Sequence, residues 1–312
     1  MGPACPRSFQ VLVEAGIGFE GLGRFVATVA GDGTIGTWYS LLKMQLYEAI
    51  AGARVFDLAQ PYFPGMPHHP SHPPFLFGLM KQHGEYIGPA GNSSAADALA
   101  LGSHVGTHID ALCHFSCGGK LFGGVEAASA QSHQQGLSAH SIDTVPPIVR
   151  RGVLLDAARH AGMDALPADF EITPGHFEQI ARAQGLEVRR GDVVLLRTGW
   201  ARYFHDAAKF VSEVRGPGPA RPGAEWLSRR GIFAAGSDTL AFEKMPDAAM
   251  PVHVHLLVES GIHILECLNL EELAAAAAWT FLLVAAPLKI RGATGAPIRP
   301  LAIVPPPSQD TR

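Results

Sequence analysis

Four short apolar runs, "GVLLDAA" (152–158), "DVVLLRT" (192–198), "GIFAAGSDT" (231–239) and "TFLLVAAPL" (280–288), alternate with segments of helical pattern. Runs of this length with little polar alternation read as strands buried on both faces. The helical segments carry their own punctuation. "TPGHFEQIARAQG" (173–185) offers Thr173 as N-cap, Pro174 in the first turn and Gly185 as the stop. "RPGAEWLSRRG" (221–231) repeats the scheme with Pro222 early and Gly231 closing. Strand–helix alternation of this kind predicts an α/β fold around a mixed or parallel sheet.

Length and charge narrow the partners. A chain of 312 residues, 47% hydrophobic, is long enough for a full core. Its net charge is −4, and its basic residues are scattered, with no stripe for nucleic acid or an anionic membrane. Four cysteines, Cys5, Cys113, Cys117 and Cys267, are too few for a disulfide scaffold in a chain this long, which points to a cytoplasmic setting. The N-terminus has no basic stretch leading into a clean apolar run, so no signal peptide is expected. The run 273–288 is short of the roughly 20 residues a membrane span needs. It begins directly after Glu271-Glu272 and reads as a helix start running into a strand. The first fifty residues are Gly-rich and weakly patterned, so the expected organisation is an arm over 1–52, a body over 53–304 and a polar tail over 305–312. Gly16, Gly18 and Gly21 make a G-x-G-x-x-G, but residues 33–47 hold no Asp or Glu to complete a dinucleotide site.

The chemistry concentrates in "SHVGTHIDALCHF" (103–115), which places His104, His108, Asp110 and His114 within eleven positions. All four numbers are even, so an extended strand would put the side chains on one face. A straight strand holds His104 and His108 ~13 Å apart, at the limit for one metal ion. The chain is therefore expected to bend between them, at Gly106. His104, His108 and Asp110 are N and O donors suited to Zn or Mn, with open positions left for water and substrate. A metal ion lowers the pKa of its bound water towards neutrality, and His114 would stand beside it as an unligated base. A site built on Cys113 and Cys117 is disfavoured, because C-x-x-x-C is a weak pattern.

"HVGTHIDALCHF" resembles the H-x-G-T-H-x-D-x-x-x-H-F signature of the cyclase-like metal hydrolases, which include bacterial kynurenine formamidase and isatin hydrolase. The resemblance continues through 56–75, "GDVVLLRTGW" (191–200), "GSDT" (236–239), "PVHVHLLVESGIHILE" (251–266) and 286–302, and covers none of the first fifty residues. It implies a single-domain swivelling β/β/α-type fold, a homodimer, and hydrolysis of small amides or lactams. It also implies His104, His108 and Asp110 as metal ligands, His114 as acid/base, and His253 and Glu266 as ligands of a second ion sharing Asp110. One or two Mn or Zn ions per chain are left open. "HVH" offers His255 as well as His253, and the preceding "PV" favours His253.

Further residues follow from position. "PHHPSHPP" (67–74) reads as a rigid loop at the site mouth, where Phe63 and Phe75 could pack a flat substrate ring. Trp200 is a candidate for the same wall, and Asp238 follows a strand where substrate-binding groups often sit. An N-cap role for Asp238 and a core role for Trp200 are equally open. His263 reads as packing or surface, and Asn92-Ser93-Ser94 as a chance glycosylation triplet. The chain has no G-x-S-x-G elbow and no H-E-x-x-H helix. The expected activity is opening of a C–N amide bond in a small aromatic or cyclic molecule, by metal-bound water and a histidine acid/base. The alternatives are a metal-dependent lyase or cyclase and a non-catalytic metal-binding protein.

Overall fold

The computed structural model describes residues 9–11, 27–29, 47 and 50–306. The Gly16, Gly18 and Gly21 motif, Cys5 and the tail beyond 306 lie outside the described residues. Contacts divide the chain into two compact units, Val55–Val304 and Met1–Arg54 with Pro305–Arg312. In the smaller unit, Phe9–Val11 pairs antiparallel with Ala27–Val29.

The larger unit is organised by a nine-stranded mixed sheet. Its strands are β1 (Arg54–Asp57), β2 (His108–Asp110), β3 (Ile148–Asp156), β4 (Val193–Arg197), β5 (Ala234–Ser237), β6 (His263–Glu266), β7 (Thr280–Ala285), β8 (Gly295–Pro297) and β9 (Leu301–Val304). The spatial order is β8-β2-β6-β5-β4-β3-β7-β9-β1. The four central strands β3, β4, β5 and β6 run parallel, and β2 joins β6 antiparallel. All four apolar runs of the sequence are therefore strands of one sheet.

The absence of polar alternation in these runs is explained by burial on both faces. Along β3 and β4, Leu154, Val193 and Leu195 belong to one core cluster with Ile109 and Leu265. Their neighbours Val153, Leu155, Val194 and Leu196 belong to another, with Phe177, Ile180, Trp226 and Leu227. Those last four come from helices α1 (Pro174–Ala183) and α2 (Arg221–Arg229), joined by the stacked rings of Phe177 and Trp226 at 5.0 Å. Full burial of each such side chain contributes about 1.5–3 kcal/mol. Thr173 caps α1 as expected, in a capping box closed by His176. The run 273–288 is a helical turn, Glu271–Ala275, followed by β7. No helix of the described residues is long and apolar enough to cross a membrane.

Parallel strands present their carboxyl ends together, and this chain loads that edge with polar groups. Asp156 ends β3, Arg197 ends β4, Asp238 follows β5 and Glu266 ends β6. The antiparallel pairing of β2 brings its own polar residues alongside, with Glu266 opposite His108 and Ile264 opposite Asp110.

Candidate metal centre

The extended run expected over His104–Asp110 is shorter than its pattern implied. Only His108–Asp110 forms a strand, and His104 precedes it on a turn. The cause is Gly106, which adopts φ +63° and reverses the chain between the two histidines. A Cβ there would stand 2.7 Å from both Met66 Cε and Tyr62 Cζ, so the bend requires glycine twice over. Gly295 of β8 makes a second close approach, since a Cβ there would meet His104 Cε1 at 2.7 Å. The bend at Gly106 folds His104 back onto the face that His108 and Asp110 share.

Asp110 is the hub of the resulting cluster. Its Oδ1 lies 2.7 Å from His104 Nδ1 and 3.5 Å from His108 Nε2, and its Oδ2 lies 3.8 Å from His253 Nε2. Glu266 approaches from β6, with Oε2 3.4 Å from His108 Nε2 and Oε1 3.3 Å from His253 Nε2. Two buried triads result, His104–His108–Asp110 and Asp110–His253–Glu266, and within each the ligand atoms lie within 4.8 Å of one another.

Each imidazole of the two triads is held from behind. His108 Nδ1 donates to the Gly106 carbonyl at 2.8 Å, His104 Nε2 pairs with Thr294 Oγ1 at 2.8 Å, and His253 Nδ1 donates to Glu243. Such partners fix the tautomer and aim the other ring nitrogen. For His108 the consequence is specific. With the proton on Nδ1, the Nε2 lone pair faces two carboxylates, and neither contact is a good hydrogen bond. His108 Nε2 and Asp110 Oδ2 are buried atoms without a hydrogen-bond partner. Leaving a buried polar atom unpaired costs ~1–3 kcal/mol. A divalent cation accepts both lone pairs at once, so the residues present fit a metal ion.

The electrostatics agree. Burial alone would raise the Asp110 carboxyl, but the imidazoles of His114, His104 and His108 hold it well below the usual carboxylate range. Burial would likewise lower His253, yet Glu243 and Glu266 hold it up to about 10. Burial would lower His108 too, and Glu266 and Asp110 hold it above its ordinary value, so the cluster favours positive charge at both imidazoles. His114 behaves differently. Burial, reinforced by the neighbouring imidazoles of His104 and His253, pushes it down to about 3 despite Asp110. It stacks on His104 at 3.8 Å and belongs to neither triad, so it is a neutral base against the cluster.

Among the other expected residues, His253 joins the cluster and His255 turns away to Glu259 and Ser228, at 2.7 and 2.8 Å. His263 is a packing residue whose Nδ1 donates to the Asp110 carbonyl at 2.9 Å. The mouth loop brings His72 against the cluster, 5.2 Å from His104 and 6.3 Å from His114 by ring centroid. Phe75 is buried edge-on to Tyr62, and Phe63 stacks on His205 at 5.5 Å.

Two expectations need correction. Asp238 is fully buried, and its carboxylate accepts from Thr198 N, Thr198 Oγ1 and Gly199 N at 2.6–2.8 Å, which ties down the turn after β4. Buried and committed to that turn, it is not presented to a substrate. Trp200 is buried with Phe204 and Phe210 and donates from Nε1 to the Phe210 carbonyl, so it is a core residue. The aromatic side chain that does border the cluster is Phe115, half-buried at 5.0 Å from His114 and 4.9 Å from His253. Its place directly after His114 in the signature was visible in the sequence. Glu243 and Thr294 had no signal in the sequence, because each reaches the cluster from an irregular loop, Glu243 ten residues before His253 and Thr294 far along the chain from His104.

The chain matches the sequence model of the putative cyclase family over residues 56–244. It is 28% identical over 215 residues to an isatin hydrolase of Roseibium aggregatum, covering 66% of this chain and 74% of that one. Identity to a kynurenine formamidase of Bacillus cereus is 25% over 243 residues, covering 78% and 94% of the two chains. Among solved structures, a novel cyclase superposes with a TM-score of 0.76 at 28% identity, covering 83% of this chain and 89% of that one. An isatin hydrolase A of Ralstonia solanacearum superposes with a TM-score of 0.65 at 26% identity, over 88% and 99%. Sequence, mixed sheet and buried histidine–carboxylate cluster converge, and the chain belongs to the cyclase family.

Proposed function

We propose that the protein is a metal-dependent hydrolase that opens a C–N amide bond in a small aromatic or cyclic molecule, a formamide or a lactam. The observation that carries the reading is the pair of buried triads sharing Asp110, with His114 outside both triads and stacked on His104. Relatives named for isatin and for a kynurenine formamide support the substrate class.

In this reading His104, His108 and Asp110 hold one Mn or Zn ion, and Asp110, His253 and Glu266 hold a second. When bound, the cation supplies a Lewis acid for the substrate carbonyl and for water. His114 accepts a proton on its imidazole during attack and returns it to the departing nitrogen. Its burial keeps it in the neutral form that can accept a proton. Phe115, with Phe63 and Phe75 further out, flanks a flat ring and excludes water. The catalytic domain is residues 53–304, with 1–52 as an arm, and the free thiols of Cys113, Cys117 and Cys267 suit a cytoplasmic setting.

The working form is a homodimer. The hairpin Leu76–Lys81 with Ala96–Ala100 supports this, since Leu76, Phe77, Leu79, Met80 and Leu99 are each about half exposed or more, on both its faces. An isolated two-stranded hairpin is marginal in water, and an apolar patch of this kind marks an interface. Met80→Asp should shift the protein towards monomer in sedimentation velocity.

Turnover of isatin and N-formylkynurenine in ¹⁸O-labelled water tests the chemistry. Solvent oxygen in the product carboxylate or formate is the expected result. Turnover without incorporation would replace hydrolysis with a lyase or ring-closing reaction.

A further inference from the structure

Of the three imidazoles in the two triads, only one is backed by a charge. His104 rests on a hydroxyl and His108 on a carbonyl, whereas His253 donates to the carboxylate of Glu243. Glu243 is almost wholly buried, at 1% exposure, and lies in the loop between β5 and the turn Pro251–His253. A buried carboxylate carries a heavy desolvation cost and needs dedicated partners. Here all of its hydrogen bonds go to one short segment: Val252 N at 3.2 Å and His253 N at 3.1 Å donate to it, as does His253 Nδ1. No lysine or arginine is among them. The backbone contacts hold the segment, and the side-chain contact sets the imidazole so that Nε2 points at Asp110 and Glu266.

The geometry points to Glu243 as a positioning residue that holds His253 in its metal-binding tautomer and strengthens the Asp110–His253–Glu266 position selectively. This rests on the two-ion reading above. A carboxylate behind a ligand histidine raises the basicity of the ring and fixes its orientation, and losing such a partner weakens metal affinity by roughly 10–100-fold. The effect stays local, because the Glu243 carboxylate bonds to Val252 and His253 and to none of His104, His108 or Asp110.

The test is titration of the metal-stripped full chain with Mn²⁺ or Zn²⁺ against a competing chelator, for wild type and Glu243→Gln, alongside thermal unfolding of the metal-free forms. Two ions in wild type, with the second weakened roughly 10–100-fold in Glu243→Gln and the first unchanged, is the expected result. Equal weakening of both ions would mean that Glu243 only supports the fold, and wild-type affinity at both would remove its role altogether. Glu243→Asp guards against a variant that fails to fold. It keeps the buried charge but withdraws the carboxylate from the imidazole by one methylene, so selective loss of the second ion is again expected and its retention overturns the inference. A wild type that binds one ion and still opens amides overturns the role of Glu243 while leaving the hydrolase intact. A wild type with neither ion nor activity removes both.

Discussion

Two buried polar clusters stand along the same sheet edge, and they differ in whether their ionisable atoms are satisfied. At β3 and β4, Arg197 is clamped by Asp156 at 2.8 Å and by both oxygens of Glu271 at 2.9 Å, while Asp238 next door takes three donors from Thr198 and Gly199. At β2 and β6, His108 Nε2 and Asp110 Oδ2 have no hydrogen-bond partner, and carboxylates face a histidine lone pair. Both clusters are buried and both are rich in charge, so burial and charge alone do not identify a site. Ionisable atoms left unpaired together within a set of candidate ligands do, since Gln184 Nε2 beside Asp156 is also unpaired but has no such set around it. The first cluster is architecture. The second is a site.

That contrast can be broken by substitution. Asp110→Ala removes the residue common to both triads, so both ions and all turnover should be lost, measured as metal per chain and amide opening. Retained metal would show that the triads are not the ligands. His114→Ala should reduce turnover by about 10²–10⁴-fold with metal content unchanged. Loss of metal in that variant would make His114 a ligand and unseat it as the base. Arg197→Ala should act in the opposite sense, leaving the buried Asp156 carboxylate without its cation and with only the Arg159 N–H donating to it, at a cost of about 3–5 kcal/mol in urea unfolding. Its turnover per folded molecule should stay near wild type. Asp238→Asn places an amide donor against backbone donors and should cost ~1–3 kcal/mol, again with little change in turnover. A large fall in kcat with unchanged stability for either of these last two would erase the distinction between the clusters.

Much of this was legible in the sequence, for physical reasons. Strands buried on both faces leave long apolar runs, and capped helices leave Thr-Pro and Gly at fixed places, so β3, β4, β5, β7, α1 and α2 could be read directly. The signature at 103–115 carried four of the clustered side chains, because strand alternation puts His108 and Asp110 on one face and the bend at Gly106 returns His104 to it. Trp200 and Asp238 misled because aromatic size and a strand-end position serve the core as readily as a pocket. Trp200 was taken up by Phe204 and Phe210, and Asp238 by the turn at Thr198-Gly199. Glu243 and Thr294 could not be read at all. Their roles depend on irregular loops, and no local period records where such loops meet.

The most direct test of the central claim is the metal content of the purified protein, with opening of isatin and N-formylkynurenine measured before and after chelation. The account predicts one to two Mn or Zn ions per chain, with activity lost on chelation and restored by the metal. Full activity in metal-stripped protein would contradict it, and the orphaned atoms around Asp110 would then need another explanation.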